Sequence, residues 1–172
     1  MFILIDGYNL IRQSESLRHC ERKSLEAGRT ALIQRLAEYQ KKKAHGITVV
    51  FDGGQSDWID EGRDREGKIN IIYSRFGEKA DDVIKRLAAQ VAGDLIVVSS
   101  DREISSYVRQ LGKTPLDSPE FEAIINKVLS APARPVTQTT KSDVHERQAK
   151  KKGPSRRLPR AKRRAQTKIK KL

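Results

Sequence analysis

Three apolar runs constrain this chain more than anything else in it, because each of them ends at an aspartate. Phe2-Ile3-Leu4-Ile5 stops at Asp6-Gly7, Ile47-Thr48-Val49-Val50-Phe51 stops at Asp52-Gly53-Gly54, and Leu95-Ile96-Val97-Val98 passes through Ser99-Ser100 into Asp101. Short runs of this kind, bounded by Gly, Ser and Asp, read as buried strands. Open parallel sheets bind ligands outside the carboxyl ends of their strands, where strand order reverses. If the three strands lie parallel, their carboxylates meet along one edge.

Between the runs the pattern changes to helical spacing. Ser24 caps a stripe of Leu25, Gly28, Leu32, Leu36 and Tyr39, which Lys41-Lys42-Lys43 closes before Gly46. Gly77-Glu78-Lys79-Ala80-Asp81-Asp82 opens a second helix with Ala80, Ile84, Leu87, Ala88 and Val91 on its buried face. Ser100 and Glu103 have capping-box spacing for a third, through Ile104, Tyr107, Val108 and Leu111. Ser118-Pro119, a cap with proline at the first helical position, starts a fourth through Phe121, Ile124, Ile125, Val128 and Leu129. Ile69, Ile71 and Tyr73 alternate in a further strand over 68–74, and Thr114 to Leu116 is a last short apolar piece. Residues 10–24 read as a loop with at most a short helical turn, and 55–67 as a charged loop holding the single tryptophan, Trp58. Strands alternating with helices predict an α/β domain over residues 1–131, a three-layer parallel sheet of four to five strands with helices on both faces.

Beyond Pro132 the charge changes. Residues 133–172 hold fifteen Lys and Arg against two acidic residues, a net of +13 equal to the formal charge of the whole chain, whereas the first 132 residues hold twenty of each sign. With no aromatic and few large apolar side chains, 132–172 is expected to be a disordered basic arm. Lys150-Lys151-Lys152, Arg156-Arg157 and the group Arg160, Lys162, Arg163 and Arg164 suit the phosphates of nucleic acid. Truncation after Pro132 should then weaken binding and spare any chemistry in the domain. The single cysteine, Cys20, excludes an intramolecular disulfide and a cysteine metal cluster. No apolar stretch approaches the roughly 20 residues of a membrane span, and Met-Phe-Ile-Leu-Ile is too short for a signal peptide before Asp6 interrupts it. A soluble cytoplasmic protein is expected.

Each aspartate has an ordinary use. Asp-Gly forms turns, and Asp81, Asp82 and Asp101 all suit the first turn of a helix. Their convergence is less ordinary. Asp81 precedes Ile84 by three residues and so lies beside the buried stripe, toward the sheet edge, with Asp82 turned about 100° away. Gathered carboxylates are stable only if protonated, paired with bases or bridged by a cation, and oxygen donors without thiolate or imidazole favour Mg2+ or Mn2+. Such ions activate and orient a water against a phosphodiester and stabilise the leaving oxygen, which yields 5′-phosphate and 3′-hydroxyl ends. The three histidines, His19, His45 and His145, are scattered, which argues against acid–base chemistry through a 2′-hydroxyl. There is no P-loop, no G-x-G-x-x-G after the first strand, and no second aspartate two residues after Asp6.

Together these residues resemble the NYN nucleases, specifically the YacP-like branch with its PIN-like fold. Asp6-Gly7-Tyr8-Asn9-Leu10, Glu26 with Arg29, Val49-Val50-Phe51-Asp52-Gly53, Glu78-Lys79-Ala80-Asp81-Asp82 and Ser99-Ser100-Asp101 follow the family's order across residues 2 to 129. The resemblance implies a metal-dependent endoribonuclease acting on single-stranded or messenger RNA, similar in some members to ribosome-associated enzymes. It would make Asp6, Asp81 and Asp101 metal ligands, Asp82 and Asp52 contributors, Asn9 a residue orienting the site and Arg29 a phosphate contact. Asp82 stands where the family more often has glutamate. Two other readings stay open on the residues alone: a non-catalytic RNA- or ribosome-binding module with a structural acidic cluster, and a nuclease acting on DNA.

Overall fold

In the computed structural model, which describes residues 1–53, 62–131 and 160–172, the first apolar run is the centre of the sheet. Strand β1 (Phe2–Asp6) leads through α1 (Gly7–Gln13), α2 (Glu15–Glu21) and α3 (Leu25–Lys42) to β2 (Gly46–Phe51). There follow β3 (Gly62–Glu66), β4 (Ile69–Tyr73), α4 (Ala80–Gln90), β5 (Leu95–Val98), α5 (Arg102–Gln110), β6 (Thr114–Leu116), α6 (Ser118–Ser130) and α7 (Arg160–Ile169). The strands lie in the order β3-β4-β2-β1-β5-β6, and every pair is parallel except β3 with β4.

Alternation along the strands divides the core in two. Ile3, Ile5, Val49, Phe51, Ile96 and Val98 pack with Leu10, Leu32, Tyr39 and Phe121 on one face, beneath α1, α3 and α6. Leu4, Val50, Ile72 and Val97 pack with Val83, Ile84, Ile104 and Val108 on the other, beneath α4 and α5. The chain moves outward from β1 to β2 and β4, then returns over α4 to pair β5 with the free side of β1. Strand order therefore reverses between β1 and β5, and the crevice at that point is where an open α/β sheet takes its ligand.

Four features differ from the sequence-based expectation. The described sheet has six strands, and it is mixed: β3 lies antiparallel on the edge, inside the stretch read as a loop. Its Gly62-Arg63-Asp64-Arg65-Glu66 carries no apolar alternation because the four residues after Gly62 are exposed, as a charged edge strand can be. Residues 10–24 hold most of α1 and all of α2, not a loop. Asp101, not Ser100, caps α5.

The end of the chain is the fourth difference, since the arm expected to be disordered throughout 132–172 is folded over 160–172. Ala165 and Ile169 are half-buried and Leu172 is buried, spaced four and three residues apart on one side of α7. The hydroxyl of fully buried Tyr39 donates to the Leu172 carbonyl at 3.1 Å, and Lys168 pairs with Asp94 at 2.7 Å. Lys150, Lys151, Lys152, Arg156, Arg157 and Trp58 lie outside the described residues, while Arg160 begins α7. No helix among the described residues is long and apolar enough to cross a membrane.

Candidate active site

Asp6 ends β1 and caps α1, so one side chain serves the strand end, the helix and the crevice at once. Its Oδ1 accepts from the Asn9 amide N–H at 3.1 Å and its Oδ2 from the Ser99 hydroxyl at 3.1 Å, with 8% of the residue exposed. Burial raises the Asp6 pKa from 3.8 to about 6; the Asn9 and Ser99 hydrogen bonds oppose the rise, and the charges of Asp81 and Asp101 add to it.

Asp81, in the first turn of α4, and Asp101, at the start of α5, approach from the opposite face to α1. Burial also raises the Asp81 pKa, with the Asp101 charge next in weight and Lys85 opposing. Lys85, one turn further along α4, pairs with Glu103 of α5 and ties the two helices beside the carboxylates. Asp101 Oδ1 accepts from the N–H groups of Glu103 at 2.6 Å and Ile104 at 3.1 Å.

Of the five expected metal ligands, Asp81 and Asp101 lie near enough to Asp6 for their charges to act on it. Asp82 is exposed and faces the depression lined by Arg75, Phe76, Gly77 and Glu78. Asp52 is exposed one strand over, where the Ser74 hydroxyl donates to its Oδ1 at 3.3 Å. Among the described residues no three acidic, cysteine or histidine groups converge tightly enough to hold an ion as they stand. The donor set itself suits a hard divalent cation: Asp6 and Asp81 are pushed toward protonation by burial and by neighbouring carboxylates, a penalty that a cation would relieve.

A lattice of small polar side chains holds these segments in place. The Ser99 hydroxyl, which donates to Asp6, also accepts from the Asp101 N–H at 3.1 Å. Asn9 Oδ1 accepts from the Ser100 N–H at 3.0 Å and from the Ser118 hydroxyl at 2.7 Å. The Ser118 N–H in turn donates to the Ser100 hydroxyl at 3.2 Å. Asn9 thus joins the segments of Ser100 and Ser118 to the start of α1. Nothing in the sequence singles out Ser99 or Ser118 for such a part, because serine before a helix reads as a cap whatever else it does.

On the α1 and α3 side the rim is aromatic and basic. Arg29 Nη1 donates to the Tyr8 hydroxyl at 3.3 Å, and its guanidinium stands 5.5 Å from the centre of the Tyr73 ring. Arg12 covers the Tyr8 ring at 5.5 Å. Glu26 is exposed on the same helix as Arg29 and forms no ion pair with it.

Gly7 is dictated by close approach. A Cβ there would stand 2.3, 2.5 and 2.9 Å from three ring atoms of Phe51, which is fully buried between Tyr8 and Tyr73 at ring distances of 5.2 and 5.8 Å. Gly7→Ala is therefore expected to lower stability by about 1–3 kcal/mol through overpacking. Urea denaturation checks this, and an alanine variant as stable as the parent would show that the ring can retreat.

The sequence model of the YacP-like NYN domain matches residues 3–171. An uncharacterized protein YacP of Bacillus subtilis strain 168 is 31% identical over 102 residues, which are 58% of this chain and 59% of that protein. The crystal structure of Rae1 (YacP) from Bacillus subtilis matches with a TM-score of 0.62 at 26% identity, covering 74% of this chain and 75% of that one. A mutant form of the same protein matches with the same score and identity, over 74% and 76%.

Proposed function

Because the chain belongs to the YacP-like NYN domain family, which is related to the PIN-like nucleases, we propose that it is a metal-dependent endoribonuclease. The observation that carries this reading is the buried carboxylate of Asp6 at the β1–β5 crevice, with the charges of Asp81 and Asp101 acting on it. Asp6, Asp81 and Asp101 would hold Mg2+ or Mn2+, with Asp82 and Asp52 further out. When bound, the ion would acidify a water and offset charge on the phosphate oxygens.

The other roles belong to the chain's own residues. Ser99 holds Asp6 and the Asp101 backbone in one register, and Asn9 does the same for the Ser100 and Ser118 segments. Arg29 has no carboxylate within 4.0 Å among the described residues, so its charge is available to the phosphate beside the scissile one. Tyr8 and Tyr73 keep its fork in place. RNA, single-stranded or messenger, is the proposed substrate. Association with the ribosome belongs to the same proposal and rests on family resemblance.

The test is cleavage of matched end-labelled RNA and DNA by the protein and by Asp81→Asn, with Mg2+, Mn2+ or EDTA. We expect RNA cutting that needs metal, leaves 5′-phosphate ends and falls at least about a hundredfold in the variant, the size of effect that follows removal of one electrostatic group stabilising a transition state. Cutting by the variant at the parental rate would remove Asp81 from the site. RNA binding without cleavage would mark a binding module whose carboxylates serve the helices.

A further inference from the structure

Helix α7 lies at the end of the sheet opposite to Asp6. It is joined there to Asp94, just before β5, and to Lys43 and His45, just before β2: Lys43 Nζ donates to the Lys171 carbonyl at 3.2 Å and His45 Nε2 faces it at 3.3 Å. The carboxylates stand at the other ends of these parallel strands. For a five-residue strand at about 3.3 Å per residue, the separation is roughly 17 Å.

The helix is two-sided. Ala165, Ile169 and Leu172 turn toward the domain and Lys168 is neutralised by Asp94, whereas Lys162, Arg163, Arg164, Lys170 and Lys171 are exposed. Among the described residues none of these five cations has a carboxylate within 4.0 Å. Lys170 also borders a cleft of about 1050 Å³ between α6 and α7, with Lys127 on its other wall. A docked helix presents these charges without the backbone ordering cost that an unfolded arm would meet on binding.

We propose that the outward face of α7, with Lys127 across the cleft, is a second RNA site that grips the sugar–phosphate backbone without reading sequence. It holds RNA at the end of the domain remote from the cut. The choice of RNA as the polyanion rests on the function proposed above; the site itself rests on the position and charge of the helix. RNA long enough to reach both ends is held twice, and shorter RNA once.

The experiment compares the full-length protein with the triple variant Lys162→Ala, Arg163→Ala, Arg164→Ala. Binding of a long unstructured RNA is followed by fluorescence anisotropy in EDTA across a salt series, and cleavage of a short oligonucleotide is followed separately. The variant should bind the long RNA at least about tenfold more weakly, and the slope of log K against log salt should flatten by about 2, at roughly 0.7 for each phosphate no longer neutralised. Short-oligonucleotide cleavage and the thermal midpoint should not change. Parental affinity and slope would overturn the proposal and assign the charges to another kind of partner. An equal loss on the short oligonucleotide would also overturn it, by merging this surface with the cutting edge. The binding arm is read without metal, so a protein that never cleaves still decides it.

Discussion

Asp6→Asn is expected to abolish cleavage and, at the same time, to make the metal-free protein more stable at neutral pH. Asparagine keeps an acceptor for the Asn9 N–H and offers Ser99 an amide donor, so both neighbours retain partners. What disappears is the buried charge. The folded pKa of about 6 lies above the unfolded value of 3.8, so the folded state binds the proton more tightly. Below about pH 4 the carboxyl is protonated in both states and contributes nothing; stability falls as pH rises from there to 6, and the whole penalty, about 3 kcal/mol, is present at pH 7. In EDTA the variant should therefore gain about 1–3 kcal/mol over the parent at pH 7.5, and the gain should vanish toward pH 4. Added Mg2+ should raise the melting temperature of the parent and leave the variant unmoved, since only a native state that binds the ion is stabilised by it. Urea denaturation at the two pH values and cleavage of labelled RNA check both halves. A variant less stable than its parent at pH 7.5 would show that Asp6 is held by its hydrogen bonds more than it is strained by burial.

Truncation after Pro132 is expected to destabilise the domain by about 2–4 kcal/mol, because it removes α7 and the residues that dock with it. Burying one leucine is worth about 1.5–3 kcal/mol, and Ile169 adds part of another apolar side chain. The Tyr39 hydroxyl loses its Leu172 acceptor, and the surface around this fully buried tyrosine opens to water. For a domain of this size the melting temperature should fall by about 10 °C. Thermal scans of the two chains decide it, and an unchanged midpoint would mean that α7 adds nothing to the core. With a lowered midpoint, the separation of roles expected from charge alone would give way to a mixed one. Loss of cutting in a truncated chain would not tell a weakened fold from a weakened grip, which is why the α7 variants above change only exposed side chains.

What the sequence makes legible, and what it hides, follows from how local each signal is. β1, β2 and β5 are unbroken apolar runs because helices cover both faces of the sheet, and such runs are visible without a partner. Their parallel register brings Asp6 and Asp101 to the same end of the sheet, which the runs predict without a partner. α1 escapes notice because its cap is Asp6 itself, already assigned to the site. The α5 cap is misread by one residue for the same reason, since Asp101 both caps and faces the crevice. Ser99 and Ser118 act across 93 and 109 residues, distances over which no pattern in the chain points from one partner to the other. α7 has its signal in the spacing of Ala165, Ile169 and Leu172, but three small or medium apolar side chains are outweighed by fifteen positive charges when composition is read first.

The long reach of those hydrogen bonds also orders events during synthesis. The central strand leaves the ribosome first, yet its partner β5 begins at residue 95 and the serine that secures Asn9 is residue 118. Contacts so distant in sequence close late in folding. An unfinished polypeptide therefore carries Asp6 without Asp81, Asp101 or the serines that frame them, and has no assembled cutting edge. On the function proposed above, the transcript being translated meets a completed site only after nearly the whole domain has been made.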